Sequence, residues 1–328
     1  MARNTGIIRL EIFFVLLLLI LVSGCQTSLG KQNSKDTSTG TEGITMNFLA
    51  NNPQDKYIVS DEQEEPITAI LEIRNKGSYP QENDDNMLSR GQIYISGFDR
   101  NIIYMQDESK RLNNQFLQGK ISINPEGGFD TAEFKGSIMA DRIIVDKYEP
   151  TILATLCYPY VTKASPSVCI DPFPFDEKQR KVCKVGSQTL QSQGAPIAIT
   201  KIDQEASSSK IQFKISLKNV GKGDLLKLDA LEKCSPITGQ GLERQDFDKI
   251  GLTRASVGFA ELTCGPFSEG GNIIRFNNGE GFILCSLEKG SYEDIKSAYT
   301  TPLNLEFRYA YRTTASKPIK ISKITTTG

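Results

Sequence analysis

Seven cysteines and no histidine bound the chemistry open to this chain of 328 residues. Imidazole is the usual general base near neutral pH and the commonest metal ligand, so Ser-His-Asp, Cys-His and His-metal chemistry are excluded. Ser286-Leu287-Glu288-Lys289 has the Ser-x-x-Lys spacing in which a lysine can activate a serine that opens a helix, but Ser286 follows the strand-like run FILC, and no SerAspAsn or LysThrGly partner occurs. The acidic groups Asp61, Glu62, Glu64, Glu65 and Asp84, Asp85 lack the Asp-x-Asp-x-Asp-Gly spacing of a calcium loop and read as solvated surface. The chain reads as a non-enzyme, with no catalytic residue, metal or cofactor expected.

The cysteines carry the remaining covalent chemistry. Setting Cys25 aside leaves Cys157, Cys169, Cys183, Cys234, Cys264 and Cys285, an even number with no Cys-x-x-Cys pair. In an exported chain that pattern means disulfides. Cys169 and Cys183 bracket a Pro-rich charged segment and would staple it into a loop. Cys264 and Cys285 flank a hairpin-like stretch and could pair across neighbouring strands. Elimination then leaves Cys157 with Cys234.

Export is read from the N-terminus. Arg3 and Arg9 precede the apolar run IFFVLLLLILV, and Val22-Ser23-Gly24 precede Cys25. This resembles the lipobox of lipoprotein precursors, and the resemblance implies lipidation of Cys25 and removal of residues 1–24. The run is short of the ~20 residues that span a bilayer. An uncleaved anchor helix and ordinary secretion are the alternatives, and all three place the bulk of the chain outside the cytoplasm. With 38 basic and 39 acidic residues there is no global field to attract nucleic acid. Residues 25–43 are polar and rich in Ser and Thr, the composition of a flexible tether.

Beyond the tether the periodicity is that of strands. Ile44–Phe48, Ile67–Ile73, Gln92–Ile95, Ile152–Leu156, Ile197–Ile202, Ile211–Leu217 and Leu303–Tyr311 alternate or cluster β-branched and aromatic residues between Gly, Pro and Asn punctuators. Asp107–Leu117 and Ser291–Ala298 alone look helical. Many short strands divided by turns predict an all-β, sandwich architecture.

The chain also repeats itself. YPYVTKASPSVCI at 158–170 returns as YAYRTTASKPIKI at 309–321, LEIRNKG at 71–77 as ISLKNVG at 215–221, and SGF at 96–98 as VGF at 257–259. A tandem duplication follows, with residues 44–169 as the first sandwich, 170–194 as a Pro-rich linker, 195–323 as the second sandwich and 324–328 as a tail. The second copy carries a longer excursion around Leu225 to Lys249. On this reading the two Tyr-x-Tyr strands close separate domains, and finding them side by side in one sheet would refute the duplication. Tyr158, Tyr160, Tyr309 and Tyr311 read as strand packing in preference to a stacking platform, because residues i and i+2 share a face.

The alternating strand that runs into an Asn-x-Gly turn, at Leu71–Gly77 and Ile215–Gly221, resembles extracytoplasmic immunoglobulin-like modules of the CARDB type. The Tyr-x-Tyr ending and the cysteines depart from that pattern. The resemblance implies two tandem immunoglobulin-like sandwiches on a lipoprotein. The function expected is that of a membrane-anchored surface binding or adhesion protein, held to lipid through Cys25 and meeting a protein partner in the envelope or on another cell. A structural accessory of an envelope, secretion or pilus-like assembly is the alternative.

Overall fold

In strand β3 (Glu65–Asn75) every second residue from Ile67 to Asn75 is buried, and in β13 (Lys210–Asn219) Ile211, Phe213, Ile215 and Leu217 are. That period of two turns one face of each strand into core. The computed structural model describes residues 39–60, 63–176, 180–237, 241–292 and 294–324, which fall within one compact unit. Cys25, the apolar run and most of the expected tether lie outside the described residues.

The first half contains β1 (Ile44–Phe48), β2 (Lys56–Val59), β3, β4 (Gln92–Ser96), β5 (Ile103–Met105), β6 (Ser109–Arg111), β7 (Phe129–Ile138), β8 (Lys147–Tyr148), β9 (Thr151–Ala164) and β10 (Ser167–Ile170). The second contains β11 (Gln188–Thr189), β12 (Ile197–Ala206), β13, β14 (Asp224–Leu226), β15 (Lys249–Val257), β16 (Ala260–Glu261), β17 (Thr263–Gly265), β18 (Ile273–Arg275), β19 (Glu280–Glu288), β20 (Tyr299–Pro318) and β21 (Lys320–Lys323). The fold is all-β, as expected. The helical expectation fails at both places. Ser109–Arg111 is a strand paired with β4, and only a short 3-10 turn forms at Lys289–Ser291. Neither segment offers the apolar stripe that would hold a helix against a core.

The two halves share one strand order. Sheet β1-β3-β7-β5 corresponds to β12-β13-β19-β17, and β4 beside β9 corresponds to β15 beside β20. Both of these sheets meet one face of a larger central sheet, in which β9 and β20 pair antiparallel so that Tyr160 faces Tyr309, Pro159 faces Ala310 and Tyr158 faces Tyr311. The two Tyr-x-Tyr strands therefore lie side by side in one sheet, against the expectation of separate domains. The placement is compatible with duplication after all. The repeat carries Tyr158 to Tyr309 and Tyr160 to Tyr311, so the observed register is symmetric about the Pro159–Ala310 pair, as a local two-fold produces. All four tyrosines are at most 1% exposed, with ring centroids 5.8 to 6.4 Å apart around the cluster. They are core, not a platform.

Past these strands each half continues into the other. Ile170 at the end of β10 pairs with Tyr299 of β20, and Ile321 of β21 pairs with Tyr148 of β8. These are equivalent contacts made in opposite directions. Val168, Ile170, Ile319 and Ile321 are all buried by the exchange. Strand β21 also runs parallel to β2, so the end of the second repeat belongs to the core of the first.

Two expected boundaries shift. The Gly40 N–H donates to Ser192 Oγ at 3.1 Å and Glu42 pairs with Lys76, so the fold begins before residue 44. At the other end of the expected linker, Gln193 is buried, its carbonyl accepts from Ser78 Oγ at 2.6 Å, and the Gly194 carbonyl accepts from Ser78 N at 2.7 Å. These polar residues are ordered because they satisfy buried backbone groups.

Candidate functional site

The outer face of the central sheet is covered by the loops that follow β3 and β13. The first is short, with a 3-10 turn at Met87–Arg90; the second is the long excursion, with 3-10 turns at Leu228–Lys233 and Arg244–Asp246. Leu226, Leu231 and Cys234 from the excursion pack on Tyr94, Cys157 and Ala310 as a small second core. The two loops meet where Arg90 approaches Glu232 at 3.7 Å.

All three expected disulfides form. Cys157–Cys234 staples the excursion to β9, Cys169–Cys183 closes the Pro-rich loop, and Cys264–Cys285 joins directly paired residues of β17 and β19. Their presence places the body of the protein in an oxidising, extracytoplasmic setting. Among the described residues no helix is long and apolar enough to cross a membrane.

A cleft of about 800 Å³ opens between the stapled excursion, the Asn219–Gly223 turn and the β15–β18 pair. One wall, formed by Lys249 and Glu269, belongs to an ionic network that continues behind it. Lys249, 6% exposed, pairs with Glu269; Lys227 reaches Glu269 at 3.7 Å and Asp229 at 2.9 Å; Lys233 lies 3.2 Å from Asp246. The hydrogen bond from Lys249 is the main influence holding the Glu269 carboxyl below the usual range. Burial alone would raise the Asp246 carboxyl, but the Glu243 N–H and the Lys233 and Lys249 ammonium groups together hold it low. The wall is thus fixed by paired charges.

Two further guanidinium groups face the same cleft without a partner. Arg275 stands directly across the β15–β18 pair from Lys249, and Arg244 lies on the excursion; both are exposed and make no ion pair among the described residues. The floor holds the Phe247 ring, which lies under Arg312 at 5.3 Å, and Arg312 is itself held by Asp224 at 2.8 and 2.9 Å. Such a site offers charge, hydrogen bonds and an aromatic face for binding. It presents no nucleophile beside a base.

A second cleft, about 450 Å³, lies where the fold begins, between Thr39, Ser78, Lys163 and Gln191. Its one ammonium is neutralised by Asp84, and Asp85 is paired with Arg308. The acidic pair read from sequence thus serves ion pairs across the central sheet. Ser286 is half-buried on β19 and donates toward the Thr263 carbonyl. Arg244, Glu269 and Arg275, which build the larger cleft, were not singled out by sequence. Arg244 lies on the excursion, Glu269 on the loop between β17 and β18 and Arg275 at the end of β18, and only the length of the excursion signalled them.

No family model matches this chain, and no curated protein matches it. Among solved structures, the periplasmic chaperone SfaE matches at 7% identity and a TM-score of 0.18, over 53% of this chain and 92% of that one. A protein of unknown function from Porphyromonas gingivalis W83 matches at 10% identity and 0.17, over 87% and 100%. The C-terminal domain of the Streptococcus pyogenes antigen I/II-family protein AspA matches at 9% identity and 0.16, over 87% and 100%. Likeness at these scores carries no argument.

Proposed function

We propose that this is a non-catalytic, membrane-anchored protein of the cell surface that binds a partner protein through the cleft beside Asn219. The observation that carries the reading is the asymmetry of the duplicated scaffold. Two halves with one strand order differ in a stapled excursion, and that excursion walls a cleft of about 800 Å³. A rigid scaffold that varies one loop is how binding surfaces are commonly built. The lipobox before Cys25 supplies the anchor in this reading, and residues 26–38 the spacer.

Mild cross-linking on intact cells followed by capture of the protein tests the binding claim. A discrete adduct, lost when Arg244→Ala and Arg275→Ala are combined, supports it; capture of nothing beyond this chain contradicts it. Cys25→Ser tests the anchor, because the unlipidated product should leave the detergent phase. Unchanged partitioning with residues 1–24 retained would make the apolar run the anchor.

The second reading, a structural component of an envelope assembly, draws on the Cys169–Cys183 loop. Phe173, Phe175 and Val182 are exposed there, while Lys181 ties the loop base to Asp171 at 2.7 Å. A held apolar tip of this kind suits a fixed contact.

A further inference from the structure

The first half contains a template for what the second half's cleft receives. Residues 112–128, which join β6 to β7, fold back over the Asn75 turn. Leu117 is fully buried there. Asn75 Nδ2 donates to the Leu117 carbonyl at 2.9 Å, the Gly128 N–H donates to the Gln118 carbonyl at 2.8 Å, and the Gly119 N–H donates to the Pro80 carbonyl at 2.7 Å. Three consecutive residues are thereby held by one turn and one glycine.

In the second half β18 and β19 are joined by residues 276–279 alone, so no counterpart of that segment exists. The receiving groups remain. Asn75 N and Asn219 N donate to the Gly128 and Gly279 carbonyls at 2.9 and 2.8 Å, and Asn75 Nδ2 and Asn219 Nδ2 donate to the Tyr79 and Gly223 carbonyls at 2.7 and 3.0 Å. Asn219, Gly223, Asp224 and Gly279 are therefore the equivalents of Asn75, Tyr79, Pro80 and Gly128. All four line the larger cleft. Asn219 Nδ2 makes one bond where Asn75 Nδ2 makes two, and its remaining hydrogen faces the position that the Leu117 carbonyl fills in the first half.

We infer that the cleft binds an extended peptide segment of a partner protein in the manner of Leu117–Gly119, and that the segment carries a carboxylate. Its carbonyls take Asn219 Nδ2 and the Gly279 N–H, and an apolar side chain takes the place of Leu117. The carboxylate preference follows from the unpaired charges on the lining. Lys249 is used by Glu269 and Asp224 by Arg312, leaving Arg244 and Arg275 against Asp248. Guanidinium groups bind carboxylates through paired N–H donors. A volume of about 800 Å³ is within the range of ligand sites. This deepens the surface-binding reading and rests on it.

The probe is a synthetic peptide of residues 114–120 (NQFLQGK) and a second peptide bearing Gln118→Glu and Lys120→Glu, each titrated into the detergent-solubilised full chain labelled at glycine and asparagine nitrogens. Both should shift the Gly279 amide and the Asn219 side-chain amide at saturation. The acidic peptide should bind more tightly, by up to about fivefold for each arginine engaged. That preference should vanish in the Arg244→Ala, Arg275→Ala protein, whose altered residues are exposed and make no contact the fold needs. Shifts at Gly128 in place of Gly279, equal affinity for both peptides, or no shift at millimolar peptide would each overturn the inference. Failure here with cell-surface capture retained removes the peptide groove and leaves the binding reading standing.

Discussion

Tyr160 and Tyr311 make the same hydrogen bonds in the two halves of the protein. Tyr160 Oη donates to Asn75 Oδ1 and accepts from the Tyr79 N–H, both at 3.3 Å, while Tyr311 Oη donates to Asn219 Oδ1 and accepts from the Gly223 N–H, both at 2.9 Å. In each half the tyrosine of the long central-sheet strand, β9 or β20, thus locks the Asn-x-Gly turn through the residue four positions after the asparagine. Hydrogen bonds conserved between copies at buried sites are the strongest sign that the halves descend from one unit.

Tyr160→Phe and Tyr311→Phe should each cost about 1–3 kcal/mol, because each leaves a backbone N–H, that of Tyr79 or that of the part-buried Gly223, without its acceptor. Denaturant melts of the two variants check this. A loss confined to one variant would show that the networks are equivalent in geometry but not in energy.

The hydroxyl of Thr162 bonds the Ile197 carbonyl at 2.7 Å and Tyr309 Oη at 3.0 Å. Thr313, its repeat counterpart, has a buried hydroxyl with no partner. Thr162→Val should therefore destabilise by about 1–3 kcal/mol, whereas Thr313→Val should be neutral or stabilising. Equal losses would contradict the asymmetry.

Alkaline pH should unfold the protein through its tyrosines. Burial pushes the Tyr79 and Tyr311 hydroxyls up to about 12, and raises Tyr158, Tyr160 and Tyr309 further. A raised folded value means the native state holds protons that the unfolded chain releases from about pH 10, so the stabilisation is complete below that pH and lost as pH climbs through about 12. Tyrosinate absorbance should rise together with loss of far-ultraviolet dichroism. Titration of all 11 tyrosines near pH 10 without unfolding would refute the buried cluster.

Strands, turns and disulfide pairing were legible in the sequence because each is decided locally or by counting. Ile211–Leu217 alternates because one face is core, and two of the cysteine pairings were suggested by the loop and the hairpin-like stretch they flank, which left the third by elimination. The exchange of Ile170 and Ile321 was not legible. Both residues look like the ordinary apolar end of a strand, and which half they cover depends on how the two last strands pair. For the same reason the cleft was invisible: Asn219, Arg244 and Arg275 become neighbours only in the fold.

The exchange predicts that neither half folds alone. Fragments 39–184 and 185–324, expressed separately, should lack cooperative melts, since each loses a long paired strand and the partner's buried isoleucines. Expressed together they should associate. A well-dispersed spectrum from either fragment in isolation would mean that the shared sheet is dispensable.

The central claim is that the cleft beside Asn219 is where the protein meets its partner. Photoreactive benzoylphenylalanine placed at Gln245, on the cleft wall, should give one discrete adduct on intact cells that the acidic peptide suppresses. The same group at Gln115, on the loop that covers the first half's turn, should give none. Equal adducts from both positions, or none from Gln245 while the cells still hold the partner, would contradict the account.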